Sequence, residues 1–390
     1  MLADWSWLLS PFLVIPASLV SVHLLVPYLY YRYMSKAAKR PWNIIVDSKY
    51  EPKVTIIIPT YNESSVIAEK LQNLKGLLYP REKLEVLLVD SCSTDETVNI
   101  AKKYLQDNEF PFEIKILEEK ERSGKAKALN FALKHASGQI VATSDADSYW
   151  EPSALQKATS YLADPQVGAL TGKEKFLNLN QNVMTVAEGM YRDIYNNLRI
   201  GESKIHSTQF FQGELSLYKR EAFQKFNDEK GSDDSGTVKN IISRGFRTIF
   251  IPEAVFSDRA PYTWKGRLDL KERRALHVVH ALVGAAKLKR KKRFPQPAGI
   301  LYANCFIHLI NPFLIFAFPV GIICLAYMFP YMFLLLLLLS LPVFLAKKAR
   351  ILLISYLTSN LALVRANLKY MRGEEQVVWK KIDEMRQVQN

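Results

Sequence analysis

The chain has 390 residues, 49% of them hydrophobic and 23% charged, a balance that excludes intrinsic disorder and a fibrous repeat. Its three cysteines, Cys92, Cys305 and Cys324, exclude a disulfide scaffold and offer no zinc-ligand spacing. The net charge of +14 does not point to nucleic acid, because thirteen positive charges fall in three short acid-free clusters beside apolar runs: Arg32, Lys36, Lys39 and Arg40; Lys287 and Lys289 to Arg293; Lys347, Lys348 and Arg350.

The elements follow in chain order. Trp5 to Tyr31 carries no Asp, Glu, Lys or Arg and is long enough to span a bilayer, so residues 1–41 read as a transmembrane helix with a basic cytoplasmic flank. Residues 42–283 read as a soluble domain. Lys53–Ile58 is a β-branched strand ending at Pro59, and Ser64–Leu78 carries Ile67, Leu71, Leu74 and Leu78 at helical spacing. A strand Leu84–Val89, a helix Thr94–Leu105, a strand Glu113–Leu117, a helix Gly124–Ala136 and a strand Gln139–Thr143 continue the alternation. Such alternation predicts an α/β fold with a mainly parallel sheet between helices, whose ligands sit beyond the C-terminal strand ends. Further on, Lys219–Phe226 reads as a short helix, Ser232-Asp233-Asp234-Ser235 opens a helix reaching Ser243, and Ile249–Pro252 is a strand. A basic linker (284–299) precedes an uncharged stretch to Ala346, which reads as a transmembrane hairpin (300–346) turning near Pro330. Within 347–390, Ile351–Val364 spans only 14 apolar residues and reads as an interfacial helix rather than a span, followed by a cytoplasmic tail. Together these elements predict a multi-pass cell-membrane protein whose soluble domain is cytoplasmic.

Three acid-bearing strand ends and one basic helix start meet at one edge of the sheet. They are Pro59-Thr60-Tyr61-Asn62-Glu63, Asp90-Ser91-Cys92-Ser93, Ser144-Asp145-Ala146-Asp147, and Gly124-Lys125. Asp145 and Asp147 repel unless a cation lies beside them, and hard carboxylate oxygens suit Mg²⁺ or Mn²⁺; a solvated turn is the plain alternative. Lys125 stands where a helix start disfavours cations, which a bound phosphate or simple exposure would explain. Asp233 and Asp234 are either N-terminal caps or chemistry. Arg273, Arg274 and His277 share nearby helical turns, as they also would on a membrane-surface helix.

In this order the segments V-T-I-I-I-P-T-Y-N-E (54–63), V-L-L-V-D-S-C-S-T-D (86–95), S-G-K-A-K-A-L-N (123–130), D-A-D (145–147), G-E-L (213–215), S-D-D (232–234) and K-E-R-R-A (271–275) resemble the inverting family 2 glycosyltransferases of GT-A fold. The resemblance implies that Pro59, Thr60, Tyr61, Glu63 and Asp90 hold the nucleoside of a UDP- or GDP-linked sugar, with Lys125 near the nucleotide. It implies Asp147 as the direct metal ligand with Asp145 beside it, and Asp234 as general base. Gly213, Glu214, Asp233, Arg273 and Arg274 fall at the leaving-group and acceptor side. Processive members carry Q-x-x-R-W; here Lys271, Arg274 and Ala275 stand at those places and the tryptophan is absent. The expectation is transfer of one sugar to a membrane-embedded polyprenyl phosphate or lipid-linked glycan, with a processive polysaccharide synthase as the alternative.

Overall fold

The computed structural model describes residues 11–179, 181–228 and 233–374. Residues 5–10 of the first apolar run, Ser232 and the tail after Glu374 lie outside them.

The chain opens with helix α1 (Pro11–Ala38) and then builds an eight-stranded sheet. Its first half alternates strictly: β1 (Val54–Thr60), α2 (Ile67–Lys75), β2 (Leu84–Asp90), α3 (Thr97–Asp107), β3 (Glu113–Glu118), α4 (Lys125–Leu133) and β4 (Ile140–Thr143). β1 and β2 are buried on both faces, which is why they read as continuous apolar runs. Period two sorts their side chains. Val54, Ile56 and Ile58 face one core with Leu71 and Leu74 of α2, while Ile57 faces the other with Leu129 and Ala132 of α4.

The second half is less regular. It comprises β5 (Tyr149–Trp150), α5 (Ala154–Tyr161), β6 (Val167–Phe176), α6 (Val183–Ile205), β7 (Ser216–Lys219), α7 (Asp233–Ser243), β8 (Arg247–Asp258) and α8 (Trp264–Arg290). The strand order is β3-β2-β1-β4-β7-β6-β8-β5. The pairs β2·β3, β1·β2, β1·β4 and β6·β8 are parallel, whereas β4·β7, β6·β7 and β5·β8 are antiparallel, so the sheet is mixed. The helix expected at Lys219–Phe226 does not form. Lys219 ends β7, Arg220 N donates to Gln139 O, and Phe226 N donates to the Asn130 side chain. These partners take the backbone groups that a helix needs, and the Phe223 and Phe226 rings pack on Tyr218.

Five more helices follow: α9 (Ala298–Cys305), α10 (Asn311–Leu314), α11 (Ala317–Met328), α12 (Pro330–Leu345) and α13 (Lys347–Met371). A π-helical turn, Phe306–Ile310, joins α9 to α10. It has a cause in Pro312, which has no N–H to donate back to His308; Asn367 Nδ2 of α13 donates to that carbonyl instead, at 3.0 Å. Val14–Ala38 and Ala349–Met371 are each long and apolar enough to cross a membrane, and 298–314 with α11 forms a third candidate bent by 45°. The 14-residue reading of 351–364 is thus too short. The helix runs on through Arg365 and Lys369 because both pair with Glu272 of α8. α1 crosses α6 at Gly201, where a Cβ would stand 2.4 Å from Met34 O.

Candidate active site

The ends of β1 and β2 lie side by side, with Thr60 and Asp90 in register. Asp90 is buried and its carboxylate is held by neutral donors: Thr60 Oγ1 at 3.1 Å, Ser93 N at 2.8 Å and Ser93 Oγ at 2.5 Å. The loops leave the strands through left-handed residues, Asn62 (φ 54°) and Cys92 (φ 57°), and α4 starts after Gly124 (φ 96°). Asn62 N is fixed by Ser93 Oγ at 2.9 Å and Glu63 N by Thr97 Oγ1 at 2.8 Å. The Arg122 guanidinium lies over the Tyr61 ring, 3.6 Å from its centre.

Next to β1, the end of β4 carries the two aspartates. Lys125 Nζ meets Asp145 Oδ1 at 2.5 Å. Burial alone would lower the lysine pKa, but Asp145, Asp233 and Glu214 hold it above the ordinary value. The cation at the helix start is therefore balanced by acids, which answers why it is tolerated there. Beneath the aspartate loop lies Lys70 of α2, fully buried, donating to Ser144 Oγ at 2.6 Å and to Ser148 O at 2.5 Å. Burial pulls its pKa down to about 7, against the pull of Asp145, Asp147 and Asp258.

A cleft of about 160 Å³ joins these parts. Lys125, Asp145, Gly213, Glu214, Asp233, Asp234, Arg273, Arg274 and His277, nine of the residues singled out in the sequence, all line it. Pro59, Thr60, Tyr61, Glu63, Asp90 and Asp147 do not; they belong to the adjacent strand ends. Gly213 leaves room for Lys125, whose Nζ would stand 3.0 Å from a Cβ placed there. Asp233 and Asp234 open α7, and Asp234 Oδ1 accepts from Ser235 N at 2.5 Å. Burial pushes the Asp233 carboxyl up, with Lys125 opposing.

Acid is concentrated here beyond the two aspartates. Among the described residues, Glu174, Glu214 and Asp258 place carboxylate oxygens within 4.8 Å of one another. Burial, then Asp145 and Glu174, push the Glu214 carboxyl up to about 7. Burial, then Asp147, Glu174 and Glu214, push Asp258 well above the carboxylate range. Glu174 Oε1 is buried without a hydrogen-bond partner. So many carboxylates that cannot all ionise together form a set suited to a hard divalent cation.

The opposite wall was not legible in the sequence. It is α6, capped by Asn182 and Thr185, whose inward face carries Glu188, Tyr191, Arg192, Tyr195 and Arg199. Glu188 is buried among Arg267 (3.4 Å), Arg274 (3.7 Å), Lys271 (3.8 Å) and Arg192 (3.8 Å). Burial would raise its pKa, but those four cations bring it to about 2. The one available signal was charge at helical spacing, which ordinarily marks a solvated face. Ala275, at the place of the missing tryptophan, does not face the cleft. It is buried against Ala362 and Ala366 of α13.

A family model described as "Glycosyl transferase family 2" matches residues 55–226. A solved mannosyltransferase of Pyrobaculum calidifontis, in complex with GDP-Man and Mn²⁺, is similar at 35% identity; the match covers 93% of this chain and 100% of that one, with a TM-score of 0.79. The probable glycosyltransferase YdaM of Bacillus subtilis is 25% identical over 250 residues, and a poly-beta-1,6-N-acetyl-D-glucosamine synthase of Staphylococcus aureus 26% over 223. Those matches cover 62% and 55% of this chain but only 60% and 53% of the two curated relatives. The fold, a mixed GT-A sheet with apolar helices at both ends, and the near-complete overlap with the archaeal enzyme agree: this chain belongs to glycosyl transferase family 2.

Proposed function

We propose that the protein is a membrane-bound inverting glycosyltransferase that moves one sugar from a nucleotide-diphosphate sugar to a lipid-borne acceptor. The observation carrying this reading is the single cleft that β4, α4, the Gly213 turn, α7 and α8 share with α6, beside a broken apolar helix. The donor base and ribose rest at the β1 and β2 ends, on Tyr61, Glu63 and Asp90, with Pro59 and Thr60 shaping the loop. Its diphosphate lies toward Asp145, Asp147 and Lys125. GDP-Man, the donor named for the archaeal relative, is the first to test.

Asp147 with Asp145, backed by the surplus carboxylates of Glu174, Glu214 and Asp258, would hold Mg²⁺ or Mn²⁺, which supplies charge neutralisation on the diphosphate. Lys125 and Lys70 fix the aspartate loop from two sides. Asp234 takes the acceptor hydroxyl proton, or orients a phosphate acceptor that needs no deprotonation. The acceptor oxygen attacks the anomeric carbon from the face opposite the diphosphate. The bond to the diphosphate oxygen breaks, the configuration inverts, and Arg273 and Arg274 balance the charge on the departing nucleotide. The basic clusters beside the apolar runs support a cell-membrane location with this domain on the cytoplasmic side.

Purified full-length protein, given membranes, Mn²⁺ and labelled nucleotide sugars, should yield an organic-extractable product bearing one sugar. A water-soluble ladder of many lengths would overturn single transfer. It would favour the second reading, a processive synthase, which the Tyr191, Tyr195 and Phe210 rings at the cleft and the staphylococcal relative support.

A further inference from the structure

α6 brings two buried guanidinium groups to the cleft that the transfer described above does not use. Arg199 is 3% exposed and Arg192 8%. The Arg199 Nη atoms are held by neutral partners, Gln212 Oε1 at 3.0 Å and Asn196 Oδ1 at 2.8 Å, and its Nε has no hydrogen-bond partner. Arg192 pairs with Glu174 at 2.8 Å, yet its Nη2 has no hydrogen-bond partner either. The Arg199 guanidinium also lies 4.5 Å from the centre of the Phe250 ring, but a buried guanidinium met by amides and a ring face without an anion is costly, and the cost falls when a phosphate accepts from its fork. Burial, then the neighbouring Arg192, lowers the Arg199 pKa to about 9, the mark of a cation short of negative charge.

The position says which phosphate. Lys125, Asp145 and Asp233 take the donor side of the cleft, whereas Arg192 and Arg199 line the α6 side with Tyr195 and Phe210. Both aromatic residues reach the π-helical turn: Tyr195 Oη lies 3.2 Å from His308 Nε2, and the Phe210 and His308 ring centres are 5.4 Å apart. The wall behind the arginines is therefore the π-helical turn inside the first helix of the bent apolar pair, where a lipid chain rather than a soluble anion would arrive. We infer that Arg192 and Arg199 form the binding site for the phosphate group of a lipid acceptor, held by the guanidinium forks while its apolar chain follows the broken helix. This inference rests on the lipid-acceptor reading of the function and gives that acceptor a charge and a place.

The test uses the full-length protein in neutral detergent, with dodecyl phosphate as probe and dodecanol as its uncharged match. Dodecyl phosphate near tenfold above its Kd should raise the melting temperature by about 3 °C, and dodecanol should not. Arg199→Gln and Arg192→Gln should each weaken the dodecyl phosphate effect at least tenfold in concentration, while Arg290→Gln, in the exposed basic run, should leave it intact. If a glutamine variant does not melt cooperatively, Arg199→Lys decides, and it should weaken the probe about threefold by losing the fork. Equal stabilisation by dodecanol, or full binding by the Arg192 and Arg199 variants, overturns the site. The two failures are separable. A one-sugar lipid product without a need for these arginines sinks the site and spares the function; arginine-dependent binding without any lipid product does the reverse.

Discussion

Two of the buried acids, one at the β2 end and one on α6, are held in opposite ways. Under β1 and β2, Asp90 is satisfied by two hydroxyls and a backbone amide, with no cation in its set. Under α6 and α8, Glu188 sits among four cations, and just beyond it Glu174, Glu214 and Asp258 crowd together. Hydroxyl and amide donors fix a geometry without creating a field, which would suit the proposed recognition of a neutral base and ribose there. Packed charges create a field, which would suit the proposed departure of a diphosphate and arrival of an anionic or hydroxyl acceptor at that end.

If that contrast is real, damage to the charged half should cost far more than damage to the neutral half. The largest effect expected is on the acid cluster: EDTA, or Asp147→Ala, should take transfer below detection, with Mn²⁺ or Mg²⁺ restoring the EDTA-treated protein alone. Full turnover in EDTA would remove the metal from the scheme. Asp234→Asn should fold and bind donor while transfer falls roughly 10²–10⁴-fold. A near-unchanged rate would leave Asp234 as a helix cap only.

Third comes stability. Glu188→Gln removes the acid that four cations share, and breaking such a buried network costs about 3–5 kcal/mol in denaturant titration. The pH dependence has a definite sign. The folded pKa of about 2 lies below the ordinary 4.5, so this contribution is complete above pH 4.5 and is lost as the pH falls toward 2. Acid unfolding curves of the glutamine variant should be flatter across that window; identical slopes would show that Glu188 is not ionised by its neighbours. The smallest effect belongs to the neutral half: Arg122→Ala should weaken donor binding about two- to fivefold in calorimetry, by loosening the Tyr61 ring.

The same division governs what the sequence revealed. β1, β2 and β4 were legible because each is buried on both faces and reads as an unbroken apolar run, and β3 because its exposed charges alternate with half-buried apolar residues. Their loops were legible because ligands gather at strand ends. α6 was not, because Glu188, Arg192 and Arg199 have the composition of a solvated helix face, and only tertiary structure reveals that β8 and α8 cover it. Lys70 hid for the same reason, one lysine among the polar positions of an amphipathic helix. The length of α13 was underestimated because Arg365 and Lys369 look like a terminus until Glu272 is seen beside them. The absent tryptophan at Ala275 was readable, but not that α13 covers the position.

The π-helical turn at Phe306–Ile310 sets the rotational phase of everything after it. An α-helix advances about 100° per residue, and a π turn accommodates one residue more than the regular winding would. Deleting a single residue there would restore regular winding and turn α11 by roughly a quarter of a revolution about its own axis. The face of α11 that meets α1 would swing away, and His308 would leave Tyr195. The proline and the asparagine that stabilise this turn therefore act as an index mark. They align the apolar segment with the catalytic domain, so the rotation of one is keyed to the other.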